Sequence, residues 1–230
     1  MNSIVIGVIA LVVIAIVVFV VLRFRGCSGN YEELNQSGMN LYKRGRVDDA
    51  ISEFKKATRI NPNDARAHCG LGMALGNKGN DSKAIMAYQD AIKVAPDNIE
   101  AHFHLGLLYV KIGKNDEAVG AFRETIRINP NEAKYHHNLG NALHNKGLVT
   151  EAIAEYNKAI QINSKNVDTY ERLGVALYDK GEMRDALSAF ETFLILTPSH
   201  SSPRAQSVVM MKEAILNKIK AEKEKEKKKA

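Results

Sequence analysis

The chain has 230 residues, of which 45% are hydrophobic and 25% are charged, a balance that describes a globular protein and excludes a disordered one. Its two cysteines are too few for a disulfide framework and fit a reducing compartment. Half of the net charge of +6 comes from the C-terminal tail, where the signs are mixed, so it predicts no nucleic-acid partner.

The chain begins with a strongly apolar segment. Residues 4–22, IVIGVIALVVIAIVVFVVL, are nineteen consecutive residues without a charge. A helix rising about 1.5 Å per residue crosses a hydrocarbon core of about 30 Å with this length. The sequence therefore predicts a single transmembrane helix within an N-terminal anchor, residues 1–25, followed by a juxtamembrane linker, residues 26–30.

The charges that flank this segment predict its orientation. No Lys or Arg precedes it, whereas Arg23 and Arg25 follow it directly. Positive flanks remain on the cytoplasmic side, so we expect an external N-terminus and a cytoplasmic body. Cys27 follows the segment closely, and two interpretations stay open for it, an acylated cysteine or an unmodified thiol.

The body of the protein repeats with a period of 34 residues. Two glycine series and one alanine series keep this period through five copies, namely Gly38, Gly72, Gly106, Gly140 and Gly174, then Gly45, Gly79, Gly113, Gly147 and Gly181, then Ala50, Ala84, Ala118, Ala152 and Ala186. Such a period indicates stacked supersecondary units. The copies are placed at residues 31–64, 65–98, 99–132, 133–166 and 167–200.

Each copy is predicted to contain two helices. Apolar residues recur at spacings of three and four, and the second glycine closes the first helix because glycine adopts the left-handed conformation without steric cost. Prolines such as Pro62 and Pro130 end the second helix. Asp64, Asn98 and Asn166 are expected to accept hydrogen bonds at the start of the next helix.

Small residues predict how the two helices pack. The first glycine series and the alanine series allow two backbones to approach closely. Aromatic residues at the same period are expected to fill wider gaps around those contacts, namely Phe54, Tyr88, Phe122, Tyr156 and Phe190. Stacking the pairs buries a continuous apolar face, which predicts an all-α, right-handed superhelical solenoid with a concave and a convex surface.

These residues resemble the tetratricopeptide repeat family. The third copy shows the family pattern as Leu105, Gly106, Tyr109, Ala118, Phe122 and Pro130, and the resemblance covers residues 31–200. Thr125 and Phe193 depart from it where alanine is usual. The resemblance implies a protein-binding module without catalytic activity or cofactor.

Two segments follow the repeats. Residues 201–219 are predicted to form a capping helix with Val208, Met211, Ile215 and Ile219 on one side. Residues 220–230, KAEKEKEKKKA, are expected to be disordered or a frayed helix that makes at most a weak contact with anionic lipid head groups.

The resemblance also implies that the first helices of the copies line a concave groove that binds a peptide or helix of a partner. Asn side chains there could hold an extended peptide backbone. His136 shares its register with His68 and His102 and is expected to be structural. The groove is predicted from Met73, Phe103, His104, Leu107, His137, Asn138, Asn141, His144, Asn145, Arg172 and Tyr178.

The histidine-rich stretch 136–147 does not predict a metal or catalytic site. His137 and His144 lie two turns apart, and only His104 of the preceding copy is a plausible third ligand, whereas a metal needs three or four converging ligands. A strained-turn serine, a phosphate-binding glycine loop and paired carboxylates are all missing from the sequence pattern.

Three functional hypotheses fit the pattern. The first is a membrane-anchored module that recruits a protein partner through its groove. A second is a self-assembling scaffold or coat, of which the magnetosome-associated members of the repeat family are an example. The third is a receptor in protein translocation, which would share the N-terminal anchor and the repeat body.

Overall fold

The structure, a computed structural model, describes Val13 and residues 30–197 and 202–229. Apart from Val13, the predicted transmembrane segment lies outside the described residues, as do Arg23, Arg25 and Cys27. Among the helices that the structure describes, none is both long enough and apolar enough to cross a membrane.

The described residues are helical and contain no strand. Helix α1 covers residues 30–43. The helices that follow are α2 Val47–Ile60, α3 Ala65–Asn77, α4 Asp81–Val94, α5 Ile99–Lys111, α6 Asn115–Ile128, α7 Ala133–Asn145, α8 Val149–Ile162, α9 Val167–Lys180, α10 Met183–Leu196 and α11 Pro203–Lys229.

The chain divides into two compact units, Met1–His104 and Leu105–Ala230. In the first unit, α3 packs against both α2 and α4. In the second, α7 packs against α6 and α8, α9 packs against α8 and α10, and α11 packs on α10. Within each unit, these helices therefore contact their neighbours in sequence, as expected for helical repeats.

The second glycine series ends the first helix of every copy as predicted. Gly45, Gly79, Gly113, Gly147 and Gly181 all have positive φ, between 75° and 89°. The amide of the next residue bonds to the carbonyl five residues back at 2.8–2.9 Å in all five copies. This pattern defines a Schellman motif, in which the left-handed residue satisfies carbonyls that the helix end leaves free.

The predicted helix starts are also confirmed. The side chain of Asp64 accepts a hydrogen bond from the Arg66 amide at 2.9 Å, Asn98 from the Ala101 amide at 3.0 Å, and Asn166 from the Thr169 amide at 3.3 Å. These bonds satisfy amides that the first turn of a helix leaves without a partner.

We expected the aromatic series to fill gaps around the close contacts of the glycines. Instead, the aromatic rings lie directly on the glycines. A Cβ added at Gly38, Gly72, Gly106, Gly140 or Gly174 would lie 2.5–2.9 Å from the ring of the aromatic residue sixteen positions later in the same copy. The five rings are at most 3% exposed. Glycine is therefore required because a ring, and not another backbone, occupies the space beside it.

The two departures from the alanine pattern have different structural reasons. Thr125 is fully buried, and its hydroxyl donates a hydrogen bond to the Phe122 carbonyl at 2.7 Å, so burying it leaves no unsatisfied polar group. Phe193 is 1% exposed and lies 5.4 Å from the Arg204 guanidinium of α11. A larger side chain fits there because α11 follows the last helix pair.

Helix α11 differs from the predicted cap in the position of one apolar residue, and it continues through the tail. Ala205, Val208 and Ile215 are fully buried, whereas Met211, which we expected on the buried side, is 41% exposed. The backbone also remains helical to Lys229, which favours the helix over disorder among the two alternatives for the tail. Lysine and glutamate are good helix formers, and opposite charges three residues apart, such as Glu222 and Lys225, support a helix that packing does not hold.

Candidate partner-binding surface

The predicted groove residues lie on the first helices of the copies. Met73 is on α3, and Phe103, His104 and Leu107 are on α5. Helix α7 carries the residues from His137 to Asn145, and α9 carries Arg172 and Tyr178. All of them are half-buried or exposed. The first unit contains Met73, Phe103 and His104, and the second contains the other eight.

In the first unit, the predicted site residues form an aromatic cluster. The His104 ring stacks on Tyr88 with 6.2 Å between centroids and an angle of 11° between planes, and Phe103 meets His104 edge-on at 5.6 Å. Burial raises the pKa of Tyr88 above its ordinary value, which keeps its hydroxyl protonated. This cluster offers mainly flat apolar contact to a ligand.

In the second unit, a chain of hydrogen bonds connects three helices. The Tyr156 hydroxyl donates to Asn141 Oδ1 at 2.8 Å, Asn141 Nδ2 lies 3.0 Å from His137 Nε2, and His137 Nδ1 lies 3.0 Å from Thr169 Oγ1. An amide nitrogen only donates, so His137 Nε2 must accept and its proton must be on Nδ1. The imidazole is therefore neutral and donates to Thr169.

Burial favours these protonation states. It lowers the pKa of His137, against the effect of Asp168, and it raises the pKa of Tyr156. Both shifts favour the uncharged side chain because burial removes the solvation that a charge needs. The chain of bonds thus joins α7, α8 and α9 with neutral groups.

This network reduces the number of hydrogen-bonding groups that the predicted Asn side chains can offer to a peptide backbone. Asn141 uses its oxygen and one N–H within the network, and His137 uses both ring nitrogens. Asn138 donates one N–H to the Lys134 carbonyl at 2.7 Å. His137 and Asn141 therefore connect α7 to its neighbouring helices, whereas Asn138 bonds within α7.

The acidic groups beside this network are also engaged. His144 Nε2 lies 2.9 Å from Asp179 Oδ2, which connects α7 to α9. Arg204 of α11 pairs with Asp168 at 2.6 Å and with Glu171, and these two carboxylates raise the pKa of Arg204. The acceptors on this part of α9 are therefore occupied by donors of the protein itself.

Two hydrogen-bond donors of the predicted site remain available in the second unit. Arg172 is exposed and forms no hydrogen bond or ion pair with any residue that the structure describes. The second N–H of Asn138 is also available, since only one of its two amide hydrogens bonds to Lys134. A ligand that supplies carboxylate or carbonyl oxygens suits this surface best.

Sequence reasoning missed Tyr156 and Thr169, which complete the network, and Asp179, which bonds to His144 beside it. One signal for Tyr156 was present. The buried aromatic series alternates between Phe and Tyr, and a tyrosine that replaces phenylalanine at a buried place needs a partner for its hydroxyl. Thr169 is fully buried at a register where other copies have Ala67, Ala101 and Tyr135.

The expectation that His136 is structural is confirmed. It is 6% exposed, its Nε2 lies 3.0 Å from the Pro130 carbonyl, and its Nδ1 lies 2.7 Å from Glu155. His68 and His102 bond to the Pro62 and Pro96 carbonyls in the same way at 2.8 Å. In these three copies the histidine thus bonds to the loop that precedes the first helix.

Glu155 is ionised in this arrangement. Its burial opposes ionisation, but hydrogen bonds from His136 and Lys158 outweigh that effect and hold the pKa of Glu155 below its usual value.

Within residues 30–197 and 202–229, no group of three or more His, Cys, Asp or Glu side chains is placed to hold a metal ion.

Several solved structures of repeat proteins are similar to this chain. MamA 41-end from Desulfovibrio magneticus RS-1 is 21% identical, with a TM-score of 0.70, over 75% of this chain and 98% of that chain. PilF of Pseudomonas aeruginosa is 18% identical, with a TM-score of 0.70, over 83% and 88%. YrrB, a TPR protein with an unusual peptide-binding site, is 19% identical, with a TM-score of 0.68, over 78% and 90%. At these identities the similarity shows the fold alone.

No curated protein matches the sequence. The sequence profile described as TPR repeat matches four overlapping stretches, residues 38–79, 74–113, 107–147 and 145–181, which together cover more than half of the chain. Proteins built from these repeats are typically interaction scaffolds without enzymatic activity, and their fold class is an all-α helical repeat solenoid. The chain therefore belongs to the tetratricopeptide repeat family.

Proposed function

We propose that this protein is a membrane-anchored interaction module whose first helices bind a peptide or helix of a partner protein. One observation carries this proposal. In the second unit the acceptors beside the predicted site are engaged by the protein's own donors, whereas Arg172 and an Asn138 N–H remain available. A surface with unused donors beside aliphatic and aromatic side chains suits a protein segment of mixed character.

The proposed anchor is residues 4–22, and the repeats would lie in the cytoplasm with the N-terminus outside. This part of the proposal rests on the uninterrupted apolar sequence and on the two arginines that follow it. Its test is protease digestion of intact cells that carry a C-terminal tag. Protection of the tag is expected, and digestion from outside would contradict the orientation.

Affinity capture from detergent-solubilised membranes tests the binding surface. We compare the native chain with an Arg172→Glu variant and with a matched control, Arg184→Glu, which changes another exposed arginine on α10. Arg172 is preferred to His137 or Asn141 because it forms no part of the network that joins the helices. Mass spectrometry should find partners that disappear only with Arg172→Glu, and identical capture by all three proteins would refute the proposal.

Self-association is a second candidate function, and exposed apolar residues favour it. Ile195 on α10 is 80% exposed and Met210 on α11 is 70% exposed. Covering such apolar side chains with another protein surface lowers the free energy and therefore favours association. Sedimentation of the full chain in detergent distinguishes the two candidates. A self-assembling scaffold forms larger species as the protein concentration rises, whereas a module that recruits a partner functions without self-association.

The Lys-rich tail is proposed to contribute only a weak attraction to anionic lipid, of at most about 1 kcal/mol per lysine near the surface. Deleting residues 220–230 should leave partner capture intact and reduce binding to vesicles that contain anionic lipid. Loss of partner capture on this deletion would place the recognition in the tail.

A further inference from the structure

Helix α11 runs beside α9 in the same direction. Arg204, near the start of α11, contacts Asp168 and Glu171, near the start of α9. Further along, Met211 and Ala214 of α11 border a pocket with residues from the later turns of α9. In this arrangement α11 occupies the place that the first helix of another repeat would take.

The pocket between these two helices is apolar. It has a volume of about 250 Å³ and is lined by Val175, Tyr178, Asp179, Met211 and Ala214. Tyr178 and Met211 are each 41% exposed. The helix that ends a repeat array normally keeps the array soluble by exposing a polar face to water. An open apolar pocket on this helix does not contribute to solubility, but it can bind an apolar side chain of another protein.

The charges around the pocket favour an acidic occupant. Its one lining carboxylate, Asp179, is engaged by His144 at 2.9 Å. Arg172 lies about one helical turn before Val175 on α9, and Lys218 lies about one turn after Ala214 on α11. Neither cation forms an ion pair with a residue in the described part of the chain. The apolar pocket is therefore bordered at both ends by cations without a partner.

We propose that the pocket between α9 and α11 anchors one apolar side chain of a partner segment that carries carboxylates on both sides of it. This inference rests on the proposed function and specifies the chemistry of the partner. The apolar side chain is buried against Val175, Met211 and Ala214, while its flanking carboxylates pair with Arg172 and Lys218. Apolar burial supplies affinity and the two cations fix direction and select the partner.

Degenerate peptide pools test this pairing on the full chain in mild detergent. The probe pool has a fixed central leucine with glutamates on both sides and random residues elsewhere. One control pool replaces the leucine by serine, and another replaces the glutamates by lysines. We expect the probe pool to bind about tenfold or more tightly than either control, which is the effect of burying one aliphatic side chain or of reversing the charges.

Two variants place the binding in the pocket. Ala214→Phe fills the pocket from an exposed position, and its matched control, Val209→Phe, adds the same ring about 140° away around α11. Lys218→Glu reverses the charge at one end, and Lys220→Glu is its control. The first variant of each pair should reduce probe binding about tenfold, and the control should not.

Each other outcome would overturn the inference. Equal binding of the control pools, equal binding by Ala214→Phe, or no binding of the probe pool would do so, and a dimer of the chain that Ala214→Phe abolishes would assign the pocket to a second copy. If the pools fail while partner capture still depends on Arg172, only the pocket inference is wrong. If capture is also independent of Arg172, the proposed function fails with it.

Discussion

Replacing Gly140 by alanine tests whether the aromatic rings, and not a backbone contact, require the glycines. A methyl group at this position would lie 2.6 Å from Cε1 of Tyr156. Carbon atoms in ordinary contact are about 3.5–4.0 Å apart, so the ring would have to move by about 1 Å. The ring is 1% exposed, and its hydroxyl is bonded to Asn141 at 2.8 Å, so it has little freedom to move.

The expected change in the free energy of unfolding has three contributions. Overpacking costs about 1–3 kcal/mol, and weakening the buried hydrogen bond of Tyr156 costs about 1 kcal/mol. Replacing a helical glycine by alanine returns about 1 kcal/mol. Gly140→Ala should therefore destabilise the protein by about 1–3 kcal/mol, the range that the overpacking contribution sets.

The matched control is Gly120→Ala on α6, where an added Cβ meets no atom within 4 Å. It should stabilise the protein by about 0.5–1 kcal/mol, because it gains helix propensity without a clash. Urea unfolding of the full chain in mild detergent, followed by circular dichroism, compares the midpoints, and hydrogen exchange shows the change in α7 and α8. A Gly140→Ala protein as stable as the native chain would refute the reasoning.

Three further predictions concern the buried thiol, the acidic limit of stability and the last helix. Burial raises the pKa of Cys69 to about 12, so a thiol reagent at pH 8 should not modify a Cys27→Ser variant until urea unfolds it, and rapid modification of the folded chain would contradict this. The pKa of Glu155 is lower in the folded chain, so the stability it contributes is present above its ordinary pKa of 4.5 and is lost as the pH falls through the folded value. Below that pH, the free energy of unfolding of Glu155→Gln should therefore fall less with pH than that of the native chain. An equal pH dependence of the two proteins would refute the assignment. Removing both contacts to α9 with Arg204→Gln should lower hydrogen-exchange protection in α11, whereas Arg184→Gln should not, and equal protection in both variants would show that the ion pairs do not hold α11.

The sequence by itself determined the places where helices begin and end. Asn98 caps the start of α5 and Gly113 ends the same helix in a left-handed turn, and both effects depend only on neighbouring backbone. These helix-start and helix-end residues recur every 34 residues in the five copies, so the helix pairs and the fold class could be predicted. The membrane segment and the groove residues stay predictions of the same kind.

The tertiary structure decided which side chains of different helices meet. The period places Gly140 and Tyr156 in one copy, but it does not show that the ring lies on the glycine and not beside it. Similarly, Asn141 resembles a free groove amide until Tyr156 and His137 are seen to occupy it. Side-chain directions depend on how neighbouring helices pack, and a one-dimensional pattern does not contain those distances. The pocket beside Met211 depends on the same cause, since it exists only because α11 lies against α9.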